Sequence, residues 1–178
     1  SDNLVAGEYF SAGADKILIN SAFRSSPEQV KKIQDIYGTQ SVVCAIDFMR
    51  KKSSISSSEY TVFDWRSRTL GEDLKTVLVD AFKVDFGEIM LQSVEQDGTG
   101  MGLDVEVLNV HQSCKCLEFR PVILCGGVGN HLHFKEGLNH IAVDAVSTAN
   151  ILNFIGSGLA DSRAKLIASG SNLADFNI

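Results

Sequence analysis

Three observations predict a parallel α/β fold for this chain. Short apolar runs recur and end abruptly in polar, glycine-rich residues, as Glu88-Ile-Met-Leu-Gln-Ser-Val94 does before Glu95-Gln-Asp-Gly-Thr-Gly-Met-Gly-Leu-Asp104, and Pro121-Val-Ile-Leu124 before Cys125-Gly-Gly-Val-Gly129. Strand-like and helix-like segments alternate five times. No shift in composition divides the 178 residues, so 1–178 is expected to form a single domain. In parallel α/β folds the ligand site lies where the strands release the chain at their carboxyl ends.

The elements follow in order. Leu4–Ala12 reads as a helix and Lys16-Ile-Leu-Ile-Asn20 as a short strand. Ser26-Pro27 opens the next helix, with serine in the capping position and proline at the first helical residue, and Gly38 stops it. Ser41-Val-Val-Cys-Ala-Ile-Asp47 is apolar almost throughout, as a strand covered on both faces should be. Lys51–Ser58 reads as an exposed loop or hairpin tip, with Tyr60-Thr-Val-Phe63 as its returning strand. Helix Gly71–Phe82 leads to strand Glu88–Val94, helix Val105–Val110 to strand Val122–Cys125, and helix His131–Asn139 to strand Ala145–Ala149. A last helix covers Leu159–Ala168.

Composition narrows the function. The chain is 44% hydrophobic and 21% charged, ordinary for a globular domain, and its net charge of −6 argues against a nucleic-acid partner. No apolar run is long enough to cross a bilayer, so no membrane association is expected. Cys44 and Cys125 lie in apolar strands and read as reduced thiols, which points to the cytoplasm. Cys114 and Cys116 can be drawn with His131 and His133 as a zinc set, but neither pair has the spacing of structural zinc, and no metal is expected.

The strand ends carry the chemistry. Asn20 and Ser21 offer an amide, a hydroxyl and backbone donors, while Asp47 places a carboxylate after five apolar residues. Such an aspartate must be solvated, paired or catalytic. Gln92, Ser93, Glu95 and Asp97 form a polar cluster, and Gly126-Gly127 lets a backbone approach an anion closely. Ala149-Asn150 opens a final turn. Two candidate phosphate sites thus flank the carboxylates Asp47 and Asp97, an arrangement suited to a long ligand with a phosphate at each end. Taken singly, a Gly-Gly-x-Gly is as often a tight turn, and Asp97-Gly98-Thr99-Gly100 a turn with an aspartate cap.

Read in order, these segments resemble the HisF family, the cyclase subunit of imidazole glycerol phosphate synthase in histidine biosynthesis. Gly13-Ala-Asp-Lys-Ile-Leu-Ile-Asn-Ser21 is similar to the family's fourth strand and Val42–Asp47 to its fifth. Gly87–Asp104 is similar to the sixth strand and its loop, Val122–Gly129 to the seventh, and Asp144–Phe154 to the eighth. The resemblance implies a (β/α)₈ TIM barrel, here incomplete and lacking the first three strands. It implies a lyase that takes ammonia from a docked glutaminase partner. With that ammonia the family splits and cyclises the bis-phosphorylated substrate PRFAR to imidazole glycerol phosphate and AICAR, without a cofactor. By position, Asp47 would be the general acid of a catalytic aspartate pair. Asn20 and Ser21 would hold one phosphate, and Gly126, Gly127, Ala149 and Asn150 the other. Asp97, Gly98 and Thr99 would shape the substrate loop with Gln92 nearby, and Lys16 and Glu88 would gate an ammonia channel.

The chain also departs from the family's pattern. A complete barrel needs about 250 residues. The chain is therefore expected to be a fragment or incomplete record of a longer product, inactive alone and self-associating through an open sheet edge. Phe48–Arg68 differs from the usual loop after the fifth strand, with Arg50-Lys-Lys52 followed by serines. Asn150 stands where the histidine enzyme has serine or threonine, and Glu95 where it has aspartate. Both changes resemble paralogues that serve an amidotransferase aminating a nucleotide-linked surface sugar. A third reading is a non-catalytic phosphate-binding or partner-docking barrel.

Overall fold

A computed structural model describes residues 2–51, 59–114, 120–154 and 157–174. Helix α1 (Asp2–Ser11) precedes strand β1 (Ile17–Ile19), the single turn α2 (Ala22–Ser25) and helix α3 (Pro27–Tyr37). Strand β2 (Val42–Arg50) is followed by β3 (Tyr60–Asp64), β4 (Thr69–Asp73) and helix α4 (Leu74–Val84). Then come β5 (Glu88–Ser93), α5 (Val107–Ser113), β6 (Val122–Cys125), α6 (His131–Leu138), β7 (Ala145–Ser147), α7 (Ile151–Phe154) and α8 (Gly158–Ala168). Five strands, β1-β2-β5-β6-β7, pair in parallel, while β3 adds antiparallel to β2 and β4 antiparallel to β3. The predicted parallel α/β architecture is present as part of a barrel-type sheet that does not close. Among the described residues, neither β1 nor β7 has a strand on its second edge.

Strand β2 organises the sheet. On one side β5 follows it from Val43 to Phe48. On the other side β1 covers only Val42–Cys44, and β3 takes over at Phe48–Arg50. The two neighbours diverge from a common edge and leave a fork beside residues 45–47. Asp47 therefore lies inside β2, not at its end as the sequence suggested. Phe48 is fully buried and antiparallel pairing with β3 carries the strand three residues further.

Side chains alternate along each strand, so the two faces differ. Val42, Cys44, Ile46, Phe48, Ile89, Leu91, Val122 and Leu124 enter the main core with the helices. Val43, Ala45, Met90 and Cys125 form a small second cluster on the opposite face. Helix α4 shows why the helices dock as they do, since Leu74, Val77, Leu78 and Ala81 recur at helical spacing and all are buried.

Further elements differ from expectation. The segment Gly71–Asp73, expected to begin a helix, completes β4, and α4 starts only at Leu74, where the Asp73 side chain caps the Lys75 N–H at 2.9 Å. Four of the five β4 residues are exposed, so no burial pattern announces the strand. Ser26 stands before Pro27 as expected but makes no side-chain cap hydrogen bond. Strand β7 ends at Ser147, two residues before the expected limit. Most of the expected loop Lys51–Ser58 and the residue Cys116 lie outside the described residues. No helix among the described residues is long and apolar enough to cross a membrane.

Candidate functional site

Register places one row of side chains across the carboxyl ends of four strands. Asp47 pairs with Gln92, Gln92 with Cys125, and Cys125 with Ser147. Asp47 thus shares a face with Val43 and Ala45 and is itself 6% exposed. Asn20, one residue beyond β1, reaches across the fork and donates its amide to the Asp47 carboxylate at 2.7 Å. Burial raises the Asp47 carboxyl above the ordinary carboxylate range; the Asn20 hydrogen bond opposes the rise, and the nearby Asp97 carboxylate adds to it. A buried carboxyl whose pKa is raised, at the mouth of a parallel sheet, has the environment a general acid needs.

The other predicted residues fall into three groups. Gln92 donates to Asp97 at 3.4 Å, which joins the strand row to the loop after β5. Gly98 and Thr99 sit in that loop, and the Asn150 amide donates to the Gly98 carbonyl at 2.9 Å. Gly98, Thr99, Val128, Gly129 and Asn150 line one cleft of about 290 Å³. Asn20 and Ser21 line a second of about 500 Å³, between the β1–α2 turn and the β3–β4 hairpin. Lys16 and Glu88 form an ion pair at the opposite end of the sheet, below Val43, Ala45 and Met90.

Gly126 and Gly127 have a different environment from an open anion turn. Both have positive φ, +98° and +97°. A Cβ on Gly126 would stand 2.6 Å from the Ser93 carbonyl oxygen, and one on Gly127 only 1.9 Å from that of Gly102. The close approach these glycines permit is to protein backbone. The Gly102 N–H donates to the Gly127 carbonyl at 2.8 Å, so the loops after β5 and β6 interlock.

A network missed in the sequence braces these loops. The Asp104 carboxylate, 3% exposed, accepts from Arg50 Nε at 2.9 Å and Nη2 at 2.7 Å and from the Tyr60 hydroxyl at 2.9 Å. Arg50 also pairs with Glu106 at 2.7 Å and lies over the Tyr60 ring. Glu95 accepts the Arg50 backbone N–H at 2.9 Å. The only sequence signal is an acidic residue closing a glycine-rich loop, and nothing local ties it to an arginine 54 positions earlier. Among the described residues no group of three or more histidine, cysteine or acidic side chains could hold a metal ion, and Cys44 and Cys125 are buried free thiols.

Parallel strands with helices on one face and a buried acid near their carboxyl ends define a protein of the β/α-barrel class. The chain belongs to the histidine biosynthesis protein family, whose model matches residues 2–156. It is 37% identical over 155 residues to a protein of Parasynechococcus marenigrum (strain WH8102) named "Putative imidazole glycerol phosphate synthase subunit hisF2". The match takes in 86% of this chain and 55% of that relative, so the chain spans little more than half the relative's length.

Proposed function

We propose that this chain supplies the greater part of a HisF-type cyclase, which uses ammonia to split and cyclise PRFAR. The observation that carries the reading is the buried Asp47 in the row Asp47–Gln92–Cys125–Ser147, held by Asn20 in a chain of this family. In this scheme Asp47 is the general acid, giving its proton to the departing group as ammonia nitrogen enters the new ring. Asn20 and Ser21 bind one terminal phosphate. Asn150, with Ala149, Gly126 and Gly127 shaping its loops, serves the other, and Asp97, Gly98, Thr99 and Gln92 form the wall between. Ammonia from a glutaminase partner enters past Lys16 and Glu88, and the apolar residues Val43, Ala45 and Met90 lie between that pair and Asp47.

The test is ammonium-dependent consumption of PRFAR by the full-length protein without glutaminase. Turnover is expected, and Asp47→Asn should lower kcat by roughly 10²–10⁴-fold with substrate binding retained. Turnover undiminished in Asp47→Asn would refute the assignment. Asn150 and Glu95 favour a second reading, a paralogue serving an amidotransferase on a nucleotide-linked sugar. There Asn150 uses its amide to tie the loop at Gly98. A well-folded protein inert toward PRFAR would move the assignment to that reading. The open edges of β1 and β7 also support self-association of the isolated chain. Light scattering should then give a mass above 19.3 kDa, and a stable monomer would overturn that expectation.

A further inference from the structure

His133, which the sequence offers only as part of a zinc set, stands in the first turn of α6 and holds a backbone group instead. Its Nδ1 accepts the Gly129 N–H at 3.1 Å. Asn130 Oδ1 is taken by the N–H groups of Leu132 and His133 at 2.8 and 3.4 Å, which leaves Asn130 Nδ2 3.3 Å from the ring's Nε2. A neutral imidazole has one accepting nitrogen, and the shorter contact, to a backbone N–H with no other acceptor among the described residues, claims it. The network therefore puts the ring's proton on Nε2. The same ring meets the loop after β5, where a Cβ on Gly102 would stand 3.7 Å from Cδ2 and 3.8 Å from Nε2. Gly129 itself packs on Gly100, since a Cβ there would be 2.6 Å from the Gly100 carbonyl oxygen.

We propose that His133 is a positioning residue for the cleft lined by Gly98, Thr99, Val128, Gly129 and Asn150: its Nδ1 fixes Gly129, and through Gly129 the spacing of the two glycine-rich loops that close on an anionic end of the ligand. The inference rests on the reading of that cleft as a phosphate site. His133 does not line the cleft, so it acts through the backbone it holds. The Gly129 N–H is spent on His133 and serves as a spacer. The N–H groups of Gly98, Gly100 and Val128, residues of the cleft wall, have no acceptor among the described residues and are the donors left for a ligand. Without the bond to His133, Gly129 is free to shift against Gly100, and the wall that carries those donors shifts with it.

The test uses the full-length protein and compares side chains that keep or lose the acceptor. In His133→Asn the amide oxygen takes the place of Nδ1 and accepts the same N–H; in His133→Leu a side chain of comparable bulk cannot. Inorganic phosphate is titrated while the Gly98 and Val128 amides are followed by NMR. His133→Leu should weaken phosphate binding roughly threefold to tenfold, and His133→Asn should stay within about twofold of wild type. Circular dichroism melting checks that each variant is folded. Should His133→Leu fail to fold, His133→Gln, whose acceptor lies one bond further out, replaces it in the comparison. In the wild-type protein, long-range ¹H–¹⁵N spectra of the ring at mildly alkaline pH should show the proton on Nε2, and a proton on Nδ1 would overturn the proposal.

The functional arm is ammonium-dependent turnover of PRFAR. The same split between His133→Leu and His133→Asn should appear in KM, with kcat little changed, because the cleft holds an end of the ligand remote from Asp47. Phosphate affinity that does not follow the acceptor, or no phosphate binding by the wild type at all, refutes the positioning role; if PRFAR is still turned over, the cyclase reading stands. A protein inert toward PRFAR whose phosphate affinity does follow the acceptor retires the cyclase reading and keeps the role of His133.

Discussion

Gly127→Ala is the sharpest test of how the two glycine-rich loops are held. The added methyl would lie 1.9 Å from the Gly102 carbonyl oxygen, 2.8 Å from its carbon and 3.0 Å from the Gln96 Cβ. None of these is the free end of a flexible side chain, so relief requires backbone movement. The residue also has φ +97°, a conformation that costs an alanine about 1–2 kcal/mol. Displacing a packed backbone adds about 1–3 kcal/mol, and weakening the Gly102 N–H bond to the Gly127 carbonyl adds about 1 kcal/mol. A total of about 3–6 kcal/mol corresponds to a fall in Tm of roughly 6–24 °C for a domain of this size. Urea unfolding followed by circular dichroism measures it, with Gly170→Ala as the control. Gly170 has φ +88° and nothing within 4 Å of its Cβ position, so its substitution carries the conformational term alone. If Gly127→Ala were no more destabilising than Gly170→Ala, the interlocked-loop account would be wrong.

Further expectations follow from the site. Asp104→Ala removes the acceptor of Arg50 and Tyr60; allowing for the partial exposure of Arg50 and its second partner Glu106, it should cost about 2–3 kcal/mol, against about 1 kcal/mol for Tyr60→Phe. Equal, negligible costs in denaturant titrations would dismiss the network as a brace. Because the folded-state pKa of Asp47 is raised, its carboxyl contributes nothing to the pH dependence of stability below the unfolded pKa of about 3.9. Above that value stability declines, until pH passes the folded pKa. Asp47→Asn should remove this decline and gain stability over wild type as pH rises from 4 to 8, and a widening loss instead would contradict the assigned burial cost. In the turnover assay, rising pH should deplete the protonated acid, so a rate climbing steadily through that range would count against Asp47 as the proton donor.

The parallel strands were legible because each is an apolar run with a polar end, and their register follows once β2 and β5 are paired. The candidate acid was legible for the same reason, being the first charge after Val42-Val-Cys-Ala-Ile46. Strand β4 was not, because Thr-Leu-Gly-Glu-Asp lies on the sheet's outer edge without alternating burial and ends in a residue that also caps a helix. Arg50 was missed since its partner Asp104 is brought near only by the folded chain. Gly126 and Gly127 were read as letting a backbone approach an anion closely, but what the missing side chains make room for is set by Ser93 and Gly102, which sequence spacing does not reveal.

The fork along β2 divides labour between two kinds of change. Residues 42–44 and 88–93 fix the parallel register, while the hairpin contacts only the last three positions of β2. Drift in the hairpin's length or composition therefore leaves the frame that carries Asp47 and Asn20 intact, and alters what surrounds them. A lineage could retarget this site by exchanging one antiparallel ornament. The hairpin β3–β4 lies where such tinkering is least harmful to folding and most consequential for recognition.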